Sequence, residues 1–177
     1  MIVPVLTLAL VGAAPADFFP CEKGHTIEYR LSNGATWTDV VRGPHPKRAV
    51  ECVVDRAVVE KDDKKRSEAW VFERTKDRVS DAGWLDTMTA FRPPLLVAPL
   101  TAGKSWQFNR TRYTVEQADA KVTVKAGTFT GCVVVAERPV GLDRVISRST
   151  YAPGFGLVRV ERGDQVREAV RVSVAKP

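Results

Sequence analysis

The sequence predicts an all-β protein: an antiparallel barrel, half-barrel or sandwich of about ten strands, with at most one short helix. Three observations lead there. Apolar residues recur with a period of two through most of the chain, the spacing that puts side chains on one face of a strand. Gly, Pro or clusters of charge interrupt these runs. No segment sustains three turns of helical spacing. The 177 residues are 44% hydrophobic and 27% charged, a composition able to bury a core and outside the disordered range.

The N-terminus departs from the pattern. Ile2 to Val11 is an apolar run of ten residues without alternation, followed by Gly12-Ala13-Ala14-Pro15-Ala16 and then Asp17. An apolar stretch ending in small residues is what signal peptidase accepts. Residues 1–16 therefore read as a signal peptide cut after Ala16, and residues 17–177 as a single β-rich domain, periplasmic or secreted. The run is half of what a bilayer span requires, so no transmembrane segment is expected, and a channel or pump is excluded. Cys21 follows Phe18-Phe19-Pro20 rather than a small residue, which disfavours a lipid anchor.

The strands follow in order. Ile27, Tyr29 and Leu31 alternate with Thr26, Glu28 and Arg30 before a turn at Ser32-Asn33-Gly34. Val50, Cys52, Val54 and Val58 share one face, Glu51 and Asp55 the other. Trp70 and Phe72 come next, then Trp106 and Phe108, Tyr113 and Val115, Val122 and Val124. At the end, Val166, Glu168, Val170, Val172 and Val174 oppose Arg167, Ala169, Arg171 and Ser173. The stretch Asp81 to Phe91 is the least patterned and has room for the one short helix.

An internal echo divides the chain. Pro20, Gly24, Ile27 and Tyr29 match Pro99, Gly103, Trp106 and Phe108 in kind and spacing. Proline keeps the entering chain extended, glycine permits a tight approach, and the spaced apolar pair starts an inner strand face. Two halves, residues 17–91 and 99–177, are expected to build one core, joined by the proline-punctuated crossing Arg92 to Ala98.

Three motifs carry a resemblance. Pro99-Leu100 with Gly103 and Trp106, Val122-Thr123-Val124-Lys125-Ala126-Gly127-Thr128-Phe129 with Cys132, and Tyr151-Ala152-Pro153-Gly154-Phe155-Gly156-Leu157-Val158 occur in this order. Together they resemble a broad set of uncharacterised exported bacterial proteins, many of them lipoproteins. Ile27 stands where those proteins usually carry a tryptophan. The resemblance implies a secreted or envelope-associated β-rich domain and brings no catalytic residue. Read physically, Gly103, Gly127, Pro153, Gly154 and Gly156 are turn residues. A phosphate loop at Gly154–Gly156 is disfavoured, because strand text rather than a helix follows it.

Candidate chemistry is sparse. His25 and His45 are the only imidazoles, no Gly-x-Ser-x-Gly elbow is present, and no metal site or cofactor is expected. The odd number of cysteines leaves one thiol free if two pair. Cys52 and Cys132 both lie in apolar strand text and are the preferred couple. From Arg138 to Pro177 eight Lys and Arg stand against four Asp and Glu, so this stretch carries +4 of the net +6. Arg144 and Arg148 share one strand face, and Arg167 and Arg171 another. If the strands align, they make a basic face toward lipid or an anionic envelope component, with Glu161 and Glu168 interleaved. Nucleic acid is not an expected partner.

The four tryptophans, Trp37, Trp70, Trp84 and Trp106, exceed what one wall of a small core needs. The primary expectation is an exported, non-catalytic binding module of the cell envelope, holding an apolar or amphipathic ligand in a barrel interior. The alternative is a structural protein with a filled core that acts through its basic face. A hydrolase ranks third, with no residues to nominate.

Overall fold

The computed structural model describes residues 13–85, 87 and 91–174. After a 3-10 turn at Pro15–Phe18 come twelve strands: β1 (Thr26–Leu31), β2 (Thr36–His45), β3 (Arg48–Val59), β4 (Lys65–Arg74), β5 (Arg78–Trp84), β6 (Pro94–Val97), β7 (Ser105–Phe108), β8 (Thr111–Val124), β9 (Gly127–Pro139), β10 (Ser147–Ala152), β11 (Gly156–Arg162) and β12 (Gln165–Ser173). The all-β expectation holds, with twelve strands rather than about ten. Asp81 to Trp84 extends β5 rather than forming a helix, while residues 86 and 88–90 lie outside the described ones. Most of the predicted signal peptide, residues 1–12, also lies outside them.

Each strand pairs antiparallel with its sequence neighbours, except β6 with β7. The first and last strands pair instead, Thr26 opposite Ser173 and Leu31 opposite Arg167. The order β6-β5-β4-β3-β2-β1-β12-β11-β10-β9-β8-β7 makes a nearly closed barrel-like sheet with one seam. Across that seam the Trp106 indole N–H donates to the Pro94 carbonyl at 3.0 Å. Phe91 meets Phe108 edge-on, with ring centroids 5.0 Å apart. Proline at the start of β6 suits this place, since an edge strand needs no donor on its outer side.

The internal echo has a hydrogen-bonded counterpart. Gly24 and Gly103 both take left-handed backbone, φ 89° and 85°. The Gly24 N–H donates to Val41 O and the Val41 N–H returns to His25 O, both at 2.8 Å. Likewise the Gly103 N–H donates to Val115 O at 2.8 Å and the Val115 N–H to Lys104 O at 2.9 Å. Thr26 and Ser105 each direct a hydroxyl back to the glycine carbonyl. A side chain at either glycine would resist that conformation. The same turn thus opens each of two six-stranded meanders, β1–β6 and β7–β12.

One part of the interior is filled by the segment before β1. Phe18 and Phe19 are buried among Val79 of β5, Leu96 of β6, Val115 of β8, Val133 and Val135 of β9 and Tyr151 of β10. Burying two such rings contributes roughly 2–3 kcal/mol each. The segment is tied down by Gly154 N–H to Asp17 O at 2.7 Å. The Arg74 guanidinium reaches Ala16 O at 3.1 Å, on the last residue of the expected signal peptide. Register irregularities along β8 let the long β8–β9 hairpin bend. Its tip returns to β12, where the Ala126 N–H donates to Ala169 O at 3.0 Å.

The expected cysteine pair is corrected. Cys52 is bonded to Cys21, with Cα atoms 5.8 Å apart, and Cys132 is a free, fully buried thiol. Cys132 lies on β9 in the second meander and packs with Ile27, Ala152, Val158 and Ala169. Cys52, on β3, faces the entering segment that carries Cys21.

Candidate functional site

Between this filled part and the cluster around Cys132 the interior leaves a cavity of about 360 Å³. That is the room of about a dozen waters, within the range of small-molecule sites. Its walls follow from alternation on each strand. The inward residues of β1 are Ile27 and Tyr29, those of β2 Trp37, Asp39 and Val41, and those of β3 Cys52, Val54 and Arg56. From β4 come Trp70 and Phe72, and from the far side Ser147, Ser149 and Tyr151 of β10, with Leu157 and Val160 of β11. Phe19 forms the boundary with the filled part.

Polar groups concentrate around Trp37. Asp39 stands opposite Arg56 in the β2–β3 register and accepts Nε and Nη2 at 2.9 and 3.0 Å. The Trp37 indole N–H donates to the same carboxylate at 2.6 Å, so its acceptor capacity is largely taken. Arg56 is only 8% exposed, and a fork-on-carboxylate pair is the arrangement that lets a guanidinium be buried. Nearby, Asp81 accepts the Trp70 indole N–H at 2.7 Å and the Gly83 N–H at 2.8 Å. Burial pushes the Asp81 carboxyl above its ordinary range, against those two hydrogen bonds.

Arg167 enters from β12. Its guanidinium carbon lies 4.0 Å from the Trp37 ring centroid and 5.3 Å from that of Tyr29. Arg56 also lies 4.0 Å from the Trp37 centroid, so the two cations are no more than twice that distance apart. Burial lowers the Arg167 pKa. The Tyr29 hydroxyl donates to Leu157 O at 2.8 Å, and burial raises its pKa. His25, also buried at the wall, has Nε2 3.1 Å from Phe155 O.

The four arginines of the expected basic face are dispersed. Arg144 is exposed in the segment between β9 and β10. Arg148 bonds Glu116 at 2.7 Å, and Arg171 approaches Glu28 at 3.3 Å on the outside. Arg167 turns inward instead. A bulge opposite Glu28 and Tyr29 leaves Val170 without a partner. Arg167 and Ala169 therefore face in, whereas Arg171 faces out. Uniform alternation put Arg167 and Arg171 on one face, and only the bulge separates them. The signal that sequence reading passed over was the cavity's pairing of basic and acidic inner positions, Asp39 with Arg56, hidden among apolar runs.

The turn residues sit at strand ends: Gly127 opens β9, Gly103 precedes β7, and Pro153 and Gly154 form the β10–β11 turn closed by Phe155 N–H to Ala152 O at 3.1 Å. Gly156 (φ 98°) has Ile27 Cδ1 3.4 Å from where a Cβ would sit. Among the described residues no helix is long and apolar enough to cross a membrane. Comparison with family models, with curated proteins and with solved structures finds no match to this chain.

Proposed function

We propose that the protein is an exported, non-catalytic binding module of the bacterial cell envelope that holds an amphipathic ligand inside its barrel. The observation that carries this reading is the two-sided cavity: an apolar wall of Phe19, Phe72 and Val54 faces a wall that carries Arg167, Ser147, Ser149 and Glu137. A core meant only for stability would fill such a space, because each unfilled cubic ångström costs about 24 cal/mol. The dispersed, ion-paired arginines outside offer less support for a basic-face partner.

Native mass spectrometry of the protein expressed to a bacterial periplasm tests the reading. Extra mass that departs on denaturation is expected, together with loss of residues 1–16. A bare mass, with no hydrophobic dye taken up by the folded protein, would overturn the ligand reading. Retention of the N-terminal residues would overturn export.

A further inference from the structure

Arg167 is charged and cannot shed its proton in a protein. No hydrogen bond or ion pair joins it to an acceptor among the described residues, and its Nε is shielded from solvent without a partner. The carboxylate that acts on it is Asp39, already held by Arg56 on two nitrogens and by Trp37. The aromatic faces of Trp37 and Tyr29 attract a cation but accept none of its in-plane N–H groups. Arg167 is half-buried, and a charge with a shielded, unpartnered nitrogen is costly unless something completes it. Ser147, two residues from Ser149 on β10, also has a buried, unpartnered hydroxyl at the same wall. Ser149, Val160 and Arg167 lie on one rung across β10, β11 and β12. His25 and Arg74 also line the cavity with one unpartnered buried nitrogen each, but both are held through another nitrogen, to Phe155 O and Ala16 O. Arg167 and Ser147 are thus the lining donors with no hydrogen bond to a described residue, in a space that Glu137 also lines.

We propose that Arg167 is the anion-binding residue of the cavity, and that the ligand is a single-chain amphiphile with one anionic head, its oxygens on Arg167 and Ser147 and its tail against Phe19 and Phe72. This rests on the reading of the cavity as a ligand site.

The test titrates the full-length mature protein with decanoate, decyl phosphate and decanol, following tryptophan fluorescence. A hydrogen bond to a charged group is worth about 1.5–3 kcal/mol, so an anion should bind roughly 10- to 100-fold tighter than decanol. The better of decanoate and decyl phosphate identifies the head group. Arg167→Met should erase the preference while still binding decanol, Arg167→Lys should keep part of it, and Arg171→Met on the outside should leave it intact. Equal binding of anion and alcohol by the wild type, or a preference that survives Arg167→Met, would overturn the anion site and leave the cavity reading standing. Failure of all three amphiphiles to bind the folded wild type would overturn both.

Discussion

Replacing Arg167 by Met should make the ligand-free protein more stable. The variant keeps an unbranched stem of similar reach and removes the charge that lacks an acceptor. Two stacking contacts are lost, one at 4.0 Å over Trp37 and a longer one at 5.3 Å over Tyr29; together they are worth about 2 kcal/mol when desolvated. A thioether near the same rings recovers roughly 0.3–1.5 kcal/mol. Against the remainder stands the desolvation of an unpaired cation, several kcal/mol after relaxation. The net expectation is a gain of about 1–3 kcal/mol, or about 3–9 °C in Tm at this chain length. Arg56→Met is the contrasting case: it strips Asp39 of its cation and should cost about 3–5 kcal/mol. Urea unfolding of ligand-stripped protein, followed by tryptophan fluorescence, reads both. A loss of more than about 1 kcal/mol in Arg167→Met, or equal losses in both variants, would refute the claim that Arg167 is uncompensated.

Three other outcomes are expected. Reducing Cys21–Cys52, which closes a loop of 31 residues, should cost about 3–4 kcal/mol; a Tm indifferent to reductant would contradict this. Trp106→Phe should cost about 1 kcal/mol by removing the bond to Pro94 O, and hydrogen exchange should quicken in β6 and β7 before β1 and β12. In Glu73 burial raises the carboxyl pKa, but the bonds from Arg78 and Arg92 outweigh it and hold the group below its ordinary value. Glu116 behaves likewise between Arg148 and Arg138. A depressed folded pKa means stability present at neutral pH and lost as pH falls through that value. Glu73→Gln and Glu116→Gln should therefore be less stable than wild type at pH 7, with the deficit closing below about pH 4.5. A deficit unchanged at low pH would show that these ion pairs contribute nothing.

Period-two patterning made the fold class legible, because both faces of most strands are of distinct polarity. The bounds Thr26–Leu31 for β1 could be read directly from its alternation. The shared glycine turns at Gly24 and Gly103 were legible too, since only a few residue types tolerate that backbone. Strand β6 was not: it lies within the crossing Arg92 to Ala98, where prolines read as punctuation and only an edge position makes them compatible with a sheet. The cysteine pairing was out of reach because it depends on which strand the segment before β1 crosses, a long-range fact absent from local text. The inward turn of Arg167 was hidden for a different reason. One bulged residue reverses the faces on either side of it, and nothing in Arg167-Glu168-Ala169-Val170-Arg171 marks where the phase changes.

The pairing of β1 with β12 has a consequence for when the protein can work. Tyr29 and Trp37 come from the first meander and Arg167 from the last strand of the second, so neither half alone owns this wall of the cavity. During synthesis β1 must wait with an open edge until residue 173 is available, which is the slow, non-local kind of closure. Only the finished ring brings the indole under the guanidinium. The proposed ligand, held on Arg167, would therefore clasp the earliest and latest strands to one another and act as a fastener of the join.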